Sequence, residues 1–344
     1  MSAAREEGTT MKALAIHGKE DLRWEERPVP EPGPGEVRLR VTYVGICGSD
    51  LHYYFHGANG EYVVREPLTP GHELSATVDL DPSGRLAPGT PVTVHPARYG
   101  TPIPGLEDRP HLLPGGDYLG SAATMPHRQG AASEYLVVED HMIRALPDGL
   151  PLERAALAEP LAVALHAVGR AGGIAGARVL VIGTGPIGLL VIAAAARAGA
   201  ATIAASDVRQ APLDRATRLG ASATMLVGRD DIPGESFDVV FECSGVAVSL
   251  TTAVRAVARA GTVVQVGMLP NAEIAVNLAP LLAKEATVRG AFRFSDEIDD
   301  AIALLAESDA LDDVISHVIP AADAVSAFEI ARDSSASAKV LLAL

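Results

Sequence analysis

Two short phrases in the first quarter of the chain bring together a thiol, an imidazole and a carboxylate. They are Gly45-Ile46-Cys47-Gly48-Ser49-Asp50 and Pro70-Gly71-His72-Glu73. Far downstream, Ala158-Glu159-Pro160-Leu161 adds a second carboxylate, and 24 residues beyond Glu159 comes Gly183-x-Gly185-x-x-Gly188. Thiolate, imidazole and carboxylate are zinc ligands, and a catalytic zinc takes three of them and keeps a position open for water or substrate. A glycine loop of this form, where it follows a strand and opens a helix, cradles the pyrophosphate of a dinucleotide. Each half alone has an ordinary explanation; together they point to zinc-assisted hydride transfer.

The ordinary explanations are specific. A lone cysteine is usually a small buried hydrophobe, and a lone histidine is more often a hydrogen-bonding residue than a ligand. Against this, Gly45 and Gly48 flank Cys47 closely enough for a tight turn that presents a thiol, and His72 follows Gly71 in the same manner. Glu159 is a carboxylate in an otherwise apolar helix start, where an unpartnered charge is costly and a metal is a natural partner. Cys47 and His72 are therefore ligand candidates, and Glu73 and Glu159 are equal candidates for the carboxylate, directly or through water. Ser49, two residues past Cys47, is placed to accept the proton of a substrate hydroxyl and pass it on, with His52 a next member. Cys243, in Phe241-Glu242-Cys243-Ser244-Gly245, reads as a core thiol rather than a ligand.

The glycine loop has the context that gives it meaning. It follows the apolar segment Val179–Ile182 and opens a helix predicted over Ile187–Ala198, with Pro186 and Ile187 inside the turn. Gly183 makes the tight turn, Gly185 admits the pyrophosphate, and Gly188 lets helix and strand pack closely. Asp207 lies 19 residues past Gly188 at the end of the next predicted strand, Thr202–Ser206. An acid at that distance accepts a hydrogen bond from the ribose 2′-hydroxyl and repels a 2′-phosphate, so NAD is expected. Arg209 leaves room for NADP, and Asp207 could equally cap a helix over Val208–Leu219. Val266, Gly267, Phe292 and Arg293 fall at later strand ends, the crevice side of such a sheet.

These groups need elements to carry them. The first 150 residues read as short β segments separated by Pro and Gly, such as Val37–Val41 with period-2 alternation and Glu134–Val138. From Leu152 the pattern becomes Ala-rich helices alternating with apolar strands such as Arg178–Ile182 and Val239–Phe241, which predicts right-handed βαβ units and a parallel sheet. That rhythm starts near Leu152–Glu159 and stops near Phe292–Ser295, and the tail reads as a helix and a last strand. A length of 344 residues suits two domains, and 48% hydrophobic with 4% aromatic content predicts cores of Ala, Val, Leu and Ile. A net charge of −15 argues against nucleic acid or an anionic membrane as partner. Two cysteines argue against a disulfide framework. No apolar signal core opens the chain and no apolar run reaches the roughly 18 residues of a membrane helix. The expectation is a cytoplasmic protein.

The runs Val44–Tyr53, Gly71-His72-Glu73 and Ala158–Ala167 resemble the zinc-dependent medium-chain dehydrogenases, specifically the polyol branch that contains the sorbitol dehydrogenases. Within it, Tyr118–Ser121, Val264–Met268 and Gly290–Phe294 are most similar to the members that oxidise L-idonate. The resemblance spans about Met11 to Leu344. It implies an α/β fold: a doubly wound Rossmann sheet over 156–295, a β-rich GroES-like catalytic domain over 11–155 with 296–344, and residues 1–10 as a disordered tail. It implies reversible oxidation of a secondary alcohol, with Tyr53 and Arg293 as substrate contacts, the later strand ends bordering the nicotinamide, and a homodimer or homotetramer. A sugar acid, L-idonate oxidised at C5 to 5-ketogluconate, stands first and sorbitol, xylitol or galactitol second. A zinc-free NAD(P)-binding relative is the alternative from another class. The chain departs from many relatives in one stretch. Four clustered cysteines for a structural zinc are replaced between Pro96 and Gly120 by a Pro- and Gly-rich segment without cysteine. His95, His111 and Asp117 are poor substitutes for four tight ligands, so one catalytic zinc per chain and no structural zinc are expected.

Overall fold

A chain alternating between two periodicities must build two kinds of sheet, and it does. The computed structural model describes residues 10–344. By the density of their contacts, they fall into two units. One runs to Glu159 and includes His317–Arg332 and Val340–Leu344; the other comprises Pro160–Ser316 and Asp333–Lys339.

In the first unit, strands Thr10–Gly18 and Asp21–Pro28 form an antiparallel pair. Thr10, expected in the tail, is therefore strand; residues 1–9 of that tail lie outside the described residues. A seven-stranded sheet runs in the order Ile143–Ala145, Pro91–Val94, Glu73–Leu80, Glu36–Gly45, Lys339–Ala343, Ile315–Pro320, with Tyr135–Glu139 also pairing to Glu36–Gly45. The last strand does return to the first part of the chain, with Leu341 opposite Gly45. The alternation in Glu36–Gly45 sends Val37, Leu39 and Val41 into a core with Leu74, Ala76, Val78, Val92 and Val94. The scarce aromatics concentrate around helix Gly48–His56: Tyr53, Tyr54 and Phe55 pack with Phe328, whose ring meets that of Tyr54 edge-on at 5.3 Å. Burial of each such side chain contributes about 1.5–3 kcal/mol, which fixes the helix that begins immediately after Cys47.

In the second unit, six strands lie in the order Ala223–Leu226, Thr202–Asp207, Arg178–Ile182, Phe237–Glu242, Val257–Gln265, Thr287–Gly290, every pairing parallel. Numbered along the chain this is 3-2-1-4-5-6, the order of a dinucleotide-binding sheet whose direction reverses beside the first strand. The central strands read as continuous apolar runs because both faces are covered: Val179, Leu180 and Val181 are fully buried. Among the described residues no helix is long and apolar enough to cross a membrane.

The unit boundaries differ from those expected at 155/156 and 295/296, falling at 159/160 and 316/317. Helix Ile298–Glu307 lies in the shifted stretch. Its stripe of Ile298, Ala301, Ile302, Leu304 and Leu305 is buried, and Leu304 and Glu307 face Ala193, Ala196 and Leu219 of the second unit. An amphipathic helix announces that it has an apolar face but not which core receives it.

Candidate functional site

Strand register builds the cluster. Glu36–Gly45 and Glu73–Leu80 pair antiparallel with Gly45 opposite Glu73, so the residues just past the end of one and just before the start of the other emerge together. Those residues are Cys47 and His72. Ligand atoms of Cys47, His72 and Glu73 all lie within 4.8 Å of one another, the one such group of three among the described residues. His72 and Glu73 are buried and Cys47 is half-buried. Gly45 is needed here for a reason other than a turn: a Cβ there would sit 2.1 Å from Oε2 of Glu73. The glycine makes room for the carboxylate.

Asp50 holds the two turns together. Its Oδ2 accepts the Cys47 backbone N–H at 2.9 Å and its Oδ1 accepts that of Gly71 at 3.1 Å. The carboxyl is 1% exposed, and burial raises its pKa against the opposing pull of His72 and of those two N–H groups. Glu159 stands outside the group of three. It is 5% exposed, and its Oε1 accepts the Tyr118 hydroxyl proton at 2.6 Å. The Tyr118 ring in turn stands edge-on to His72, 5.3 Å between centroids.

Burial disfavours the His72 imidazolium, yet Cys47, then Glu159 and Asp50, outweigh it and hold the imidazole up to about 10. The groups around His72 thus favour positive charge at this point. The donor set of one sulfur, one nitrogen and one carboxylate oxygen fits zinc with a position left open, and the space beside Gly45 fits the carboxylate that would complete it. Ser49 is half-buried in the first turn of helix Gly48–His56. His52 is on the next turn and exposed; partial burial, then His56 at 5.6 Å between ring centroids, lowers its pKa. Tyr53 is 2% exposed within the apolar cluster, and its hydroxyl oxygen accepts the Ala122 N–H at 3.1 Å.

Ion pairs tie down the segment between Pro96 and Gly120. Asp117 meets Arg98 at 3.5 Å and Arg128 at 3.6 Å, and both arginines also meet Glu139. The Nε2 of His95 lies 3.0 Å from the Tyr99 hydroxyl.

In the second unit the glycine turn has the expected form. Gly185 caps helix Pro186–Arg197, with Pro186 in its first turn. A Cβ at Gly188 would lie 1.9 Å from the Gly183 carbonyl oxygen, so only glycine lets the helix start against the strand end. The Oδ2 of Asp207 accepts the Thr184 N–H at 2.8 Å and its hydroxyl at 3.0 Å, while Oδ1 accepts the Arg209 N–H at 3.1 Å. The following helix is Gln210–Arg218 and its cap residue is Arg209, not Asp207. Asp207 is thus committed to the glycine turn. Val266 and Gly267 follow strand Val257–Gln265, both donating N–H to the Glu242 carbonyl. Phe292 is 44% exposed and carries the Arg293 guanidinium 4.9 Å above its ring.

Sequence reasoning missed three residues: Asp50, Tyr118 and Glu242. The Glu242 side chain is fully buried at the end of a central strand, where it accepts N–H groups of Ser244 and Gly245 and the Gln265 amide. A charge closing the apolar run Val239-Val240-Phe241 was the available signal, the same one that marked Glu159. Cys243 packs beside Gly188 with its thiol pKa pushed well up by burial and by Glu242.

Residues 33–148 match the family model described as the alcohol dehydrogenase GroES-like domain, and residues 186–307 the one described as zinc-binding dehydrogenase. The chain is 35% identical over 340 residues to the sorbitol dehydrogenase of Gallus gallus, covering 93% of each. Among solved structures it is similar to the L-idonate 5-dehydrogenase of Escherichia coli K-12, at 32% identity and a TM-score of 0.92, covering 97% of this chain and 98% of that one. A zinc-binding dehydrogenase from Sinorhizobium meliloti 1021, bound to NADP, is 30% identical with a TM-score of 0.86, covering 97% and 99%.

Proposed function

The chain belongs to the zinc-dependent medium-chain dehydrogenases, and from that premise we propose that it oxidises a secondary alcohol of a sugar acid with NAD, L-idonate to 5-ketogluconate in the first place. What carries this is the convergence of Cys47, His72 and Glu73 within 4.8 Å, in a chain that also holds a dinucleotide turn.

Cys47, His72 and Glu73 would hold one zinc per chain, with Asp50 orienting their turns and Glu159 adding negative charge from its place against Tyr118. Bound there, the metal supplies Lewis acidity that lowers the pKa of a substrate hydroxyl. Ser49 takes the substrate's hydroxyl proton as it releases its own toward His52, the next member of the relay. The Gly183–Gly188 turn would receive the pyrophosphate, Asp207 the ribose 2′-hydroxyl, and Val266, Gly267 and Phe292 would border the nicotinamide, the group that would supply the hydride chemistry. Tyr53 and Arg293 are each assigned as a substrate contact on the family resemblance. In a chain of net charge −15 an anionic substrate needs a local cation, and Arg293 is the one we assign. The exposed Met268 and Leu282, 74% and 81%, support self-association as a dimer or tetramer, and the two free cysteines support work in a reducing cytoplasm.

A second reading, a neutral-polyol dehydrogenase, is favoured by the likeness to sorbitol dehydrogenase. A panel of L-idonate, sorbitol, xylitol and galactitol, followed by NADH absorbance, separates the two. L-Idonate should give the highest kcat/KM, and Arg293→Ala should raise its KM about tenfold to a hundredfold, the value of a charge-assisted contact of about 1.5–3 kcal/mol. If the variant weakens sorbitol equally, Arg293 is a general hydroxyl clamp and the polyol reading replaces the first.

A further inference from the structure

Arg209 is the residue that would let this site accept NADP, because a guanidinium near the acid at the second strand's end is what accommodates a 2′-phosphate. Its side chain is already engaged. Arg209 Nη1 lies 3.1 Å from Oδ1 of Asp333, an acid 124 residues away in sequence and in the same structural unit. Asp333 follows helix Ala324–Arg332 and sits in a turn that holds it in place. Its Oδ1 also accepts the Ser335 N–H at 2.9 Å and the Ser335 hydroxyl at 2.5 Å. Its backbone carbonyl accepts N–H groups of Ala336 and Ser337, each at 3.0 Å. The Ser335 hydrogen bonds, then Arg209, hold the carboxyl below the usual range, so it is ionised at neutral pH.

We propose that Asp333 is a cofactor-specificity residue: it draws off the Arg209 charge, and so enforces the preference for NAD that Asp207 begins. This rests on the NAD reading above. With Asp333 against its guanidinium, Arg209 contributes less free positive charge, and a 2′-phosphate would have to displace a carboxylate to reach it. Arg209 and Asp333 side chains are 42% and 52% exposed, so the pair is screened and its effect is modest, a few-fold rather than orders of magnitude.

The test is direct binding of NADH and NADPH by nucleotide fluorescence at low salt, on wild type, Asp333→Asn, Asp333→Glu, and Asp333→Asn combined with Arg209→Ala. Asp333→Asn keeps an oxygen for Ser335 while losing the charge. It should tighten NADPH about three- to fivefold with NADH unchanged within a factor of about two. The gain should vanish in the double variant and at high salt, and Asp333→Glu should resemble wild type. No gain in Asp333→Asn, an equal change for both nucleotides, or a gain that survives Arg209→Ala overturns the proposal. Should Asp333→Asn unfold, Asp333→Glu decides with 2′-AMP: wild-type-like weakness supports the proposal, and tightening contradicts it. Wild type binding both nucleotides equally would instead overturn the NAD reading, a different outcome from any of these.

Discussion

At Gly45 a single methyl group decides whether the Glu73 carboxylate can keep its place beside Cys47 and His72. Gly45→Ala should loosen zinc about tenfold to a hundredfold, the usual cost of disturbing a ligand's support, measured by competition with a chelator. Unchanged affinity would show that Glu73 is not a ligand. Cys47→Ser should remove the zinc and nearly all turnover while leaving NADH binding intact, because the glycine turn belongs to other residues; retained turnover would exclude Cys47. The types and spacing of Cys47, His72 and Glu73 made these candidates readable in sequence. The roles of their supports were not readable. Gly45 looked like a turn residue because a glycine states freedom, not what its missing side chain makes room for. Asp50 and Tyr118 act across 21 and 41 residues, a separation only the folded register closes.

Elements were readable where period and punctuation agreed. Arg178–Ile182 is the strand expected, and Pro186–Arg197 is within one residue of the helix expected from Ile187–Ala198. The helix after Asp207 begins at Gln210 rather than Val208, since the backbone N–H of Arg209 turns back to Asp207 before helical pairing can start. Less visible was what ties one element to the next. Helix Ala158–Arg170 is joined to the segment before Ile298–Glu307 by His166 Nδ1 and Glu297 Oε1, 2.6 Å apart. Burial pushes the Glu297 carboxyl up, but His166 and the Ser295 N–H outweigh it and hold it below the usual range. A carboxyl with a depressed folded pKa stabilises above its unfolded pKa, and that stability is lost as pH falls through the folded one. Glu297→Gln should therefore cost about 1–3 kcal/mol at neutral pH by urea denaturation. The gap should close as pH drops below about 4, where glutamate protonates; a gap that persists in acid would mean the side chain matters for packing and not for charge.

For the whole molecule, the change from β-rich to alternating βα pattern predicts an α/β fold, and that is the fold the chain has. The charge of −15 sets broad limits on partners but does not choose a substrate, because substrate choice rests on a few side chains rather than on composition. The reading as a zinc-dependent NAD dehydrogenase is tested most directly by titrating zinc into metal-stripped protein while following NADH formation from L-idonate. Activity should be absent at the start, rise linearly with added zinc, and level off at one equivalent per chain. Full activity without zinc, or none at any amount of zinc on L-idonate and the polyols alike, would contradict it.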